Sequence, residues 1–273
     1  MKEQGKQRIV VKVGTSTLTH ESGDLDLRSM ERLVRAMADL KGEGNEMILV
    51  SSGAIAVGTA KLGLPERPKE LRFKQAAAAV GQCSMMHIYD KLFAEYNTNT
   101  AQILLTDTDV ADEDRAAHLR ATFSALLEMG VIPVVNENDS VSSAEIETGQ
   151  HKVLGDNDTL SAIVAKLCEA DLLVLFSDID GLYDADPRSH PDAKLLPEVK
   201  EITDDILAMA GGAGTWRGTG GMATKLSAAL IATGAGCDMV ISNGKRPQEL
   251  YDIAEGKAIG TRFLAKQDRK SVV

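Results

Sequence analysis

An open, mainly parallel α/β sheet sandwiched between helices is the fold this sequence predicts. Short apolar runs alternate with longer stretches of helical period, the strand–helix alternation of a parallel sheet. The runs are apolar at almost every position, as strands covered on both faces must be. Four of them give way at once to Gly, Ser, Thr, Asn or Asp. These are turn residues, expected at the carboxyl edge where such sheets bind ligands.

The elements follow in order. Residues 9–13 form a first strand, apolar except at Lys12. Met30, Leu33, Val34, Met37 and Leu40 mark a helix stopped by Gly42 and Gly44. A second strand covers 47–50, a helix starts at Ala54, and a long one runs from 70 to 96. Strand 102–105, helix 116–129 and strand 131–135 come next. Residues 139–157 lack helical period and predict a hairpin or flap. Helix 159–168, strand 172–176, helix 222–233 and strand 238–241 complete the alternation. Between them, 178–220 predicts turns around one short helix and a mobile glycine loop. No repeat or linker interrupts the pattern. One domain over 1–273 is expected, with lobes over 1–168 and 169–273.

Composition narrows the function. The 273 residues are 44% apolar, enough for a sizeable core, but only 4% aromatic, which leaves little for stacking on nucleic-acid bases. A net charge of −10 argues against a nucleic-acid or anionic-membrane surface. Cys83, Cys168 and Cys237 are scattered and read as reduced packing thiols, with no metal-ligand spacing. The polar N-terminus is no signal peptide and no apolar run reaches membrane-spanning length, so a cytoplasmic protein is expected.

The clusters after the strands are Gly14-Thr15-Ser16, Ser51-Ser52-Gly53, Asn136 to Asp139, and Ser177-Asp178. On one edge they would line a single crevice. Lys12 is either an edge-strand lysine that blocks pairing or a phosphate contact, and the following Gly-Thr-Ser favours the second. Ser51-Ser52-Gly53 reads as a cap of the helix at Ala54, a ligand contact, or both. Asn136 to Asp139 and Gly155 to Asp158 read as Asx turns or as an acidic pair in a pocket. Lys225 ends a Gly-Thr-Gly-Gly-Met-Ala-Thr-Lys run that fails the Walker pattern, and no GxGxxG follows the first strand. The run still suits a lid over phosphates, held by open backbone and a helix N-terminus at Met222. The five histidines stand apart and read as surface residues; Met85 and Met86 read as core.

Taken together, Val-Lys-Val-Gly-Thr-Ser, Ser-Ser-Gly-Ala-Ile, Asn-Glu-Asn-Asp, Gly-Asp-Asn-Asp-Thr-Leu-Ser-Ala and Gly-Thr-Gly-Gly-Met-Ala-Thr-Lys resemble the amino acid kinase family. Asp-Gly-Leu-Tyr-Asp-Ala-Asp-Pro-Arg at 180–188 also resembles that family's nucleotide-side segment. The resemblance spans 8–264 and is closest to members that phosphorylate the side-chain carboxylate of L-glutamate with ATP, opening proline synthesis. It implies that Lys12 and Lys225 contact the transferred phosphoryl group and that Asp158 orients them. It places glutamate on Ser52, Asp139 and Asn157 in the first lobe. ATP falls to Lys12, Ser177, Asp178, Thr219, Gly220, Gly221, Met222, Ala223, Thr224 and Lys225, with Mg2+ on the phosphates and no protein metal site. The chain departs from the family in Ser51, Ser177 and a longer flap at 147–152, and it runs to Val273 without the C-terminal PUA module of many members. The resemblance further implies a homo-oligomer and feedback by proline; the long 70–96 helix is a candidate dimer face, and the lability of an acyl phosphate suggests hand-over to glutamyl phosphate reductase.

The residue inventory agrees with that chemistry. A carboxylate acceptor is ionised at neutral pH and needs no general base, so a site without a catalytic histidine is expected. Other acceptors in the family (acetylglutamate, carbamate, aspartate, a nucleoside monophosphate) are the nearest alternatives. A non-catalytic sensor of amino acids or nucleotides would be expected to lack one of the two lysines.

Overall fold

The computed structural model describes residues 5–141, 154, 156–187, 189–209 and 221–266. The chain opens with strand β1 (Arg8–Val13), a one-turn helix α1 (Thr15–Leu18) and helix α2 (Leu27–Gly42). Strand β2 (Glu46–Ser51) leads into helices α3 (Ala54–Lys61) and α4 (Leu71–Ala94). Next come β3 (Thr100–Leu105), α5 (Asp107–Ala111), α6 (Glu113–Glu128) and β4 (Ile132–Glu137). They are followed by α7 (Asn157–Leu167), β5 (Leu172–Ser177), β6 (Glu198–Val199) and α8 (Asp204–Met209). Helix α9 (Met222–Gly234), β7 (Asp238–Asn243), α10 (Leu250–Ala254) and β8 (Thr261–Phe263) complete the fold.

The strands form one sheet in the order β3-β4-β2-β1-β5-β7-β8-β6. Every pair from β3 to β7 is parallel, whereas β8 runs antiparallel to β7 and carries β6 parallel to itself. This is the mainly parallel αβα architecture that the apolar runs predict. β1 lies between β2 and β5, which removes the edge-strand explanation of Lys12.

Two-residue alternation along the strands sorts their side chains into two cores. Val11 and Val13 pack with Leu33, Met37, Ala78 and Tyr89 under α2 and α4. Val10 packs with Leu160, Val164, Leu226 and Ala229 under α7 and α9. Lys12, two residues beyond Val10, therefore leaves the strand on the α7/α9 side. The carboxyl ends of β4, β2, β1 and β5 are neighbours, so the four polar clusters stand side by side on one edge.

Several expectations need correction. Asn136 and Glu137 belong to β4 itself and are buried, so the turn begins only at Asn138. Of Ser51-Ser52-Gly53 it is Gly53, at φ 103, that stands at the N-cap of α3, and neither serine gives a side-chain cap. The short elements α1, α5, α10, β6 and β8 carry too few apolar residues to show a period. In α5 the start is fixed by Asp109, whose Oδ2 accepts the Thr106 backbone N–H at 2.8 Å and its hydroxyl at 2.6 Å. The flap over 142–153 and the glycine loop over 210–220 lie outside the described residues.

The cysteines also split. Cys168 and Cys237 are buried, and burial pushes the Cys168 thiol up to about 12, whereas Cys83 is exposed on α4 rather than packed. A thiol reagent is therefore expected to titrate one cysteine in the folded protein and all three after denaturation. Fast reaction of two or more in the native state would contradict this placement. His20, His87, His118 and His190 are exposed, as expected of surface histidines, and Met85 is core.

Candidate active site

Three charged side chains from three elements meet at the carboxyl edge of β1. Asp158 stands in the first turn of α7, where Asp156 caps the helix by accepting the N–H groups of Asp158 and Thr159 at 2.8 and 3.0 Å. A carboxylate there also faces the positive end of the helix dipole. Lys225 projects from the first turns of α9, which packs against α7. Its Nζ donates to Asp158 Oδ2 at 2.9 Å, and Thr224 Oγ1 donates to the same oxygen at 3.0 Å. Lys12 Nζ lies 2.6 Å from Asp158 Oδ1, a charge contact without the direction of a good hydrogen bond.

The side chains of Lys12, Lys225 and Asp158 are only 10%, 9% and 6% exposed. Charges so deeply placed persist only when paired. Burial raises the Asp158 carboxyl, but the two ammonium groups outweigh it and hold the pKa down at about 2. The cluster carries a net +1 charge on the α7/α9 side of β1. That is a cradle for an anion of higher charge than a single carboxylate. Gly14 lies beside it: a Cβ there would stand 3.6 Å from Lys12 Nζ, in ordinary van der Waals contact.

Two of the three residues that the family resemblance assigns to glutamate, Ser52 and Asn157, meet next to it. Asn157, one residue before Asp158, donates from Nδ2 to Ser52 Oγ at 2.6 Å and to Asn136 Oδ1 at 3.2 Å. Asn136 in turn donates from Nδ2 to Gln82 Oε1 of α4 at 3.0 Å. Under Ser52, the buried hydroxyls of Ser51 and Tyr89 share a 2.9 Å hydrogen bond. Asp139 lines a cavity of ≈ 370 Å³ with Gln82, Cys83, Met86, Gln102 and Glu137.

On the other side, Ser177 ends β5 and donates to Asp178 Oδ1 at 2.9 Å. Gly221 is the N-cap of α9 at φ 84 and offers no side-chain cap, so the first N–H groups of Met222, Ala223 and Thr224 lack that partner. Thr219 and Gly220 lie outside the described residues. Sequence reading missed Gln82 and Tyr89 altogether. Both are buried on the same face of α4 as Ala78 and Met85, which a helical period can show, but their hydrogen-bond partners on β4 and β2 it cannot.

The profile described as Amino acid kinase family matches residues 7–243. The chain belongs to the amino acid kinase family. Among relatives of known name, it is 54% identical over 261 residues to glutamate 5-kinase of Clostridium perfringens (strain 13 / Type A), covering 96% of each chain. It is 56% identical over 259 residues to glutamate 5-kinase of Clostridium tetani (strain Massachusetts / E88), covering 95% of each. Solved structures of other amino acid kinase fold members superpose along almost the full length. A carbamate kinase from Giardia lamblia bound to AMP-PNP aligns with a TM-score of 0.64 at 17% identity, over 96% of this chain and 99% of that one. An isopentenyl phosphate kinase of T. acidophilum gives 0.62 at 18%, over 94% and 99%. At such identities these two speak for the amino acid kinase fold alone.

Proposed function

We propose that this enzyme transfers the γ-phosphoryl group of ATP to the side-chain carboxylate of L-glutamate, forming L-glutamyl 5-phosphate, the first step of proline biosynthesis. The observation that carries the reading is 54% and 56% identity, over 96% and 95% of the chain, to relatives named glutamate 5-kinase. The site chemistry supports it. The acceptor carboxylate is already the nucleophile, so the catalytic task is positioning and charge neutralisation. Lys12, reaching from the central strand, and Lys225, at the helix under the nucleotide, face the transferring group from its two ends. Asp158 orients both.

Residues 1–168 hold the acceptor through Ser52, Asp139 and Asn157. Residues 169–273 hold the nucleotide through Ser177, Asp178 and the segment 219–225. The donors around the clamp are two ammonium groups, one carboxylate already shared between them, and a hydroxyl. This set suits a metal carried by the nucleotide rather than one caged by side chains. Mg2+ carried in by the triphosphate would supply further positive charge at the phosphates. A homo-oligomer, feedback by proline at the acceptor site and delivery of the labile acyl phosphate to a reductase belong to the same reading. So does a cytoplasmic location; among the described residues no helix is long and apolar enough to cross a membrane.

Incubation with ATP, magnesium and hydroxylamine, offering each acid in turn, tests the reaction. Glutamyl hydroxamate is the expected product, and turnover of acetylglutamate with none of glutamate would overturn it. Lys225→Ala is expected to lower kcat roughly 10²–10³-fold while glutamate affinity changes little. Unimpaired turnover in that variant would remove Lys225 from the phosphoryl clamp.

A further inference from the structure

Gln82 takes no part in the chemistry above, yet it ends a chain of amides that reaches the acceptor site. The direction of that chain can be read without ambiguity. An asparagine amide can stand either way round, but a backbone N–H can only donate. The N–H of Glu137 donates to Asn136 Oδ1 at 2.9 Å, which fixes that oxygen and turns Nδ2 toward α4. There Gln82 must accept, and it does so through Oε1 at 3.0 Å. Asn136 and Gln82 are 2% and 8% exposed, so an unmet amide at either would stay unmet.

The same oxygen of Asn136 then imposes the orientation of Asn157. Asn157 Nδ2 spends one hydrogen on Asn136 Oδ1 and the other on Ser52 Oγ. Two consequences follow. Asn157 Oδ1 is left as an acceptor with no protein donor among the described residues. Ser52 Oγ, already accepting, has its own hydrogen to give. The edge of β2 and α7 therefore shows an acceptor beside a donor. An α-ammonium group matches the first and an α-carboxylate the second.

We propose that Gln82 is a positioning residue that holds this polarity, by accepting from the amide that the Glu137 N–H has oriented, and that the site thereby selects acceptors carrying a free α-amino group over dicarboxylates that lack one. The proposal rests on the assignment of L-glutamate as acceptor. If Gln82 loses its acceptor, Asn136 Nδ2 must seek another partner, and the pull that orients Asn157 is relaxed. Discrimination is a difference of two affinities, so the sensitive quantity is the gap between glutamate and its deaminated analogue.

The test uses Gln82→Met, of similar volume but without a strong acceptor, and Gln82→Glu, whose carboxylate can only accept. Glutarate serves as a competitive inhibitor, so its binding is measured without turnover. In Gln82→Met the KM for glutamate is expected to rise about tenfold, while glutarate inhibition, the KM for ATP and kcat change less than about threefold. Gln82→Glu should restore the wild-type gap. Should Gln82→Met fail to fold by circular dichroism, Gln82→Leu, also without an acceptor and leaving no room for a water, carries the same expectation. A parallel weakening of glutamate and glutarate would mark a merely structural role and overturn the proposal, as would an unchanged KM. Wild-type enzyme inactive on glutamate would instead sink the acceptor assignment beneath it.

Discussion

Asp158→Asn is expected to abolish nearly all turnover, by roughly 10³-fold or more, and to destabilise the nucleotide-free enzyme by about 3 kcal/mol. The amide keeps the shape of the side chain but not its charge. Lys12 and Lys225 would then face each other, buried, with no counter-ion in place of the contacts at 2.6 and 2.9 Å. Two outcomes separate this from ordinary loss of packing. ATP supplies the missing negative charge, so nucleotide should raise the melting temperature more in Asp158→Asn than in wild type. The wild-type advantage should also depend on pH. The folded Asp158 carboxyl lies at about 2, below its ordinary 3.8. Its contribution, about 2 kcal/mol, is complete above pH 3.8 and is lost as the pH falls through about 2. Urea unfolding of both proteins from pH 5 downward checks this. A stability gap that stays constant with pH, or equal stabilisation by ATP, would mean that the carboxylate is not the counter-charge of the clamp.

How much of this site could be read without coordinates depends on the kind of signal. The strands could, because β1, β2, β4 and β5 are continuous apolar runs, and burial on both faces permits little else. Their shared edge could also be anticipated, since parallel strands all end at the same side. Lys12 stood out as the one charge in an apolar strand. Asp158 looked like any Asx turn, and only the packing of α7 on α9 brings it to Lys225, 67 residues on. Ser52 resembled a helix cap because Ser before a helix usually is one. The left-handed Gly53 takes the cap position instead and frees the Ser52 hydroxyl for Asn157. Gln82 was invisible for a different reason. Its partner is on β4, 54 residues away, and no local pattern encodes a contact between layers. Charges and periods are local properties of a sequence; hydrogen bonds between layers are not.

Gly81→Ala should be among the most damaging single-methyl changes outside the charged cluster, costing about 3 kcal/mol and weakening glutamate binding with it. Ordinarily such a change in a helix interior stabilises by up to about 1 kcal/mol. Here α3 and α4 cross almost backbone to backbone. A Cβ on Gly81 would fall well inside van der Waals contact with the Ala54 carbonyl oxygen, and one on Gly58 would do the same to Ala77. Both obstacles are main-chain atoms, so no side-chain rotation relieves them and the helices must move apart. That displacement reaches the acceptor site from two directions. α3 begins at Ala54, two residues after Ser52, and α4 carries Gln82 one residue after Gly81. The KM for glutamate should therefore rise while the KM for ATP, set on the β5 and α9 side, holds. Gly42→Ala is the control, because nothing lies within 4 Å of its added methyl, and it should be neutral or slightly stabilising. Thermal melts and the two KM values decide the matter. A Gly81→Ala protein as stable as wild type would show that the helix crossing yields freely, and the close approach would then have no part in holding Ser52 and Gln82 in register.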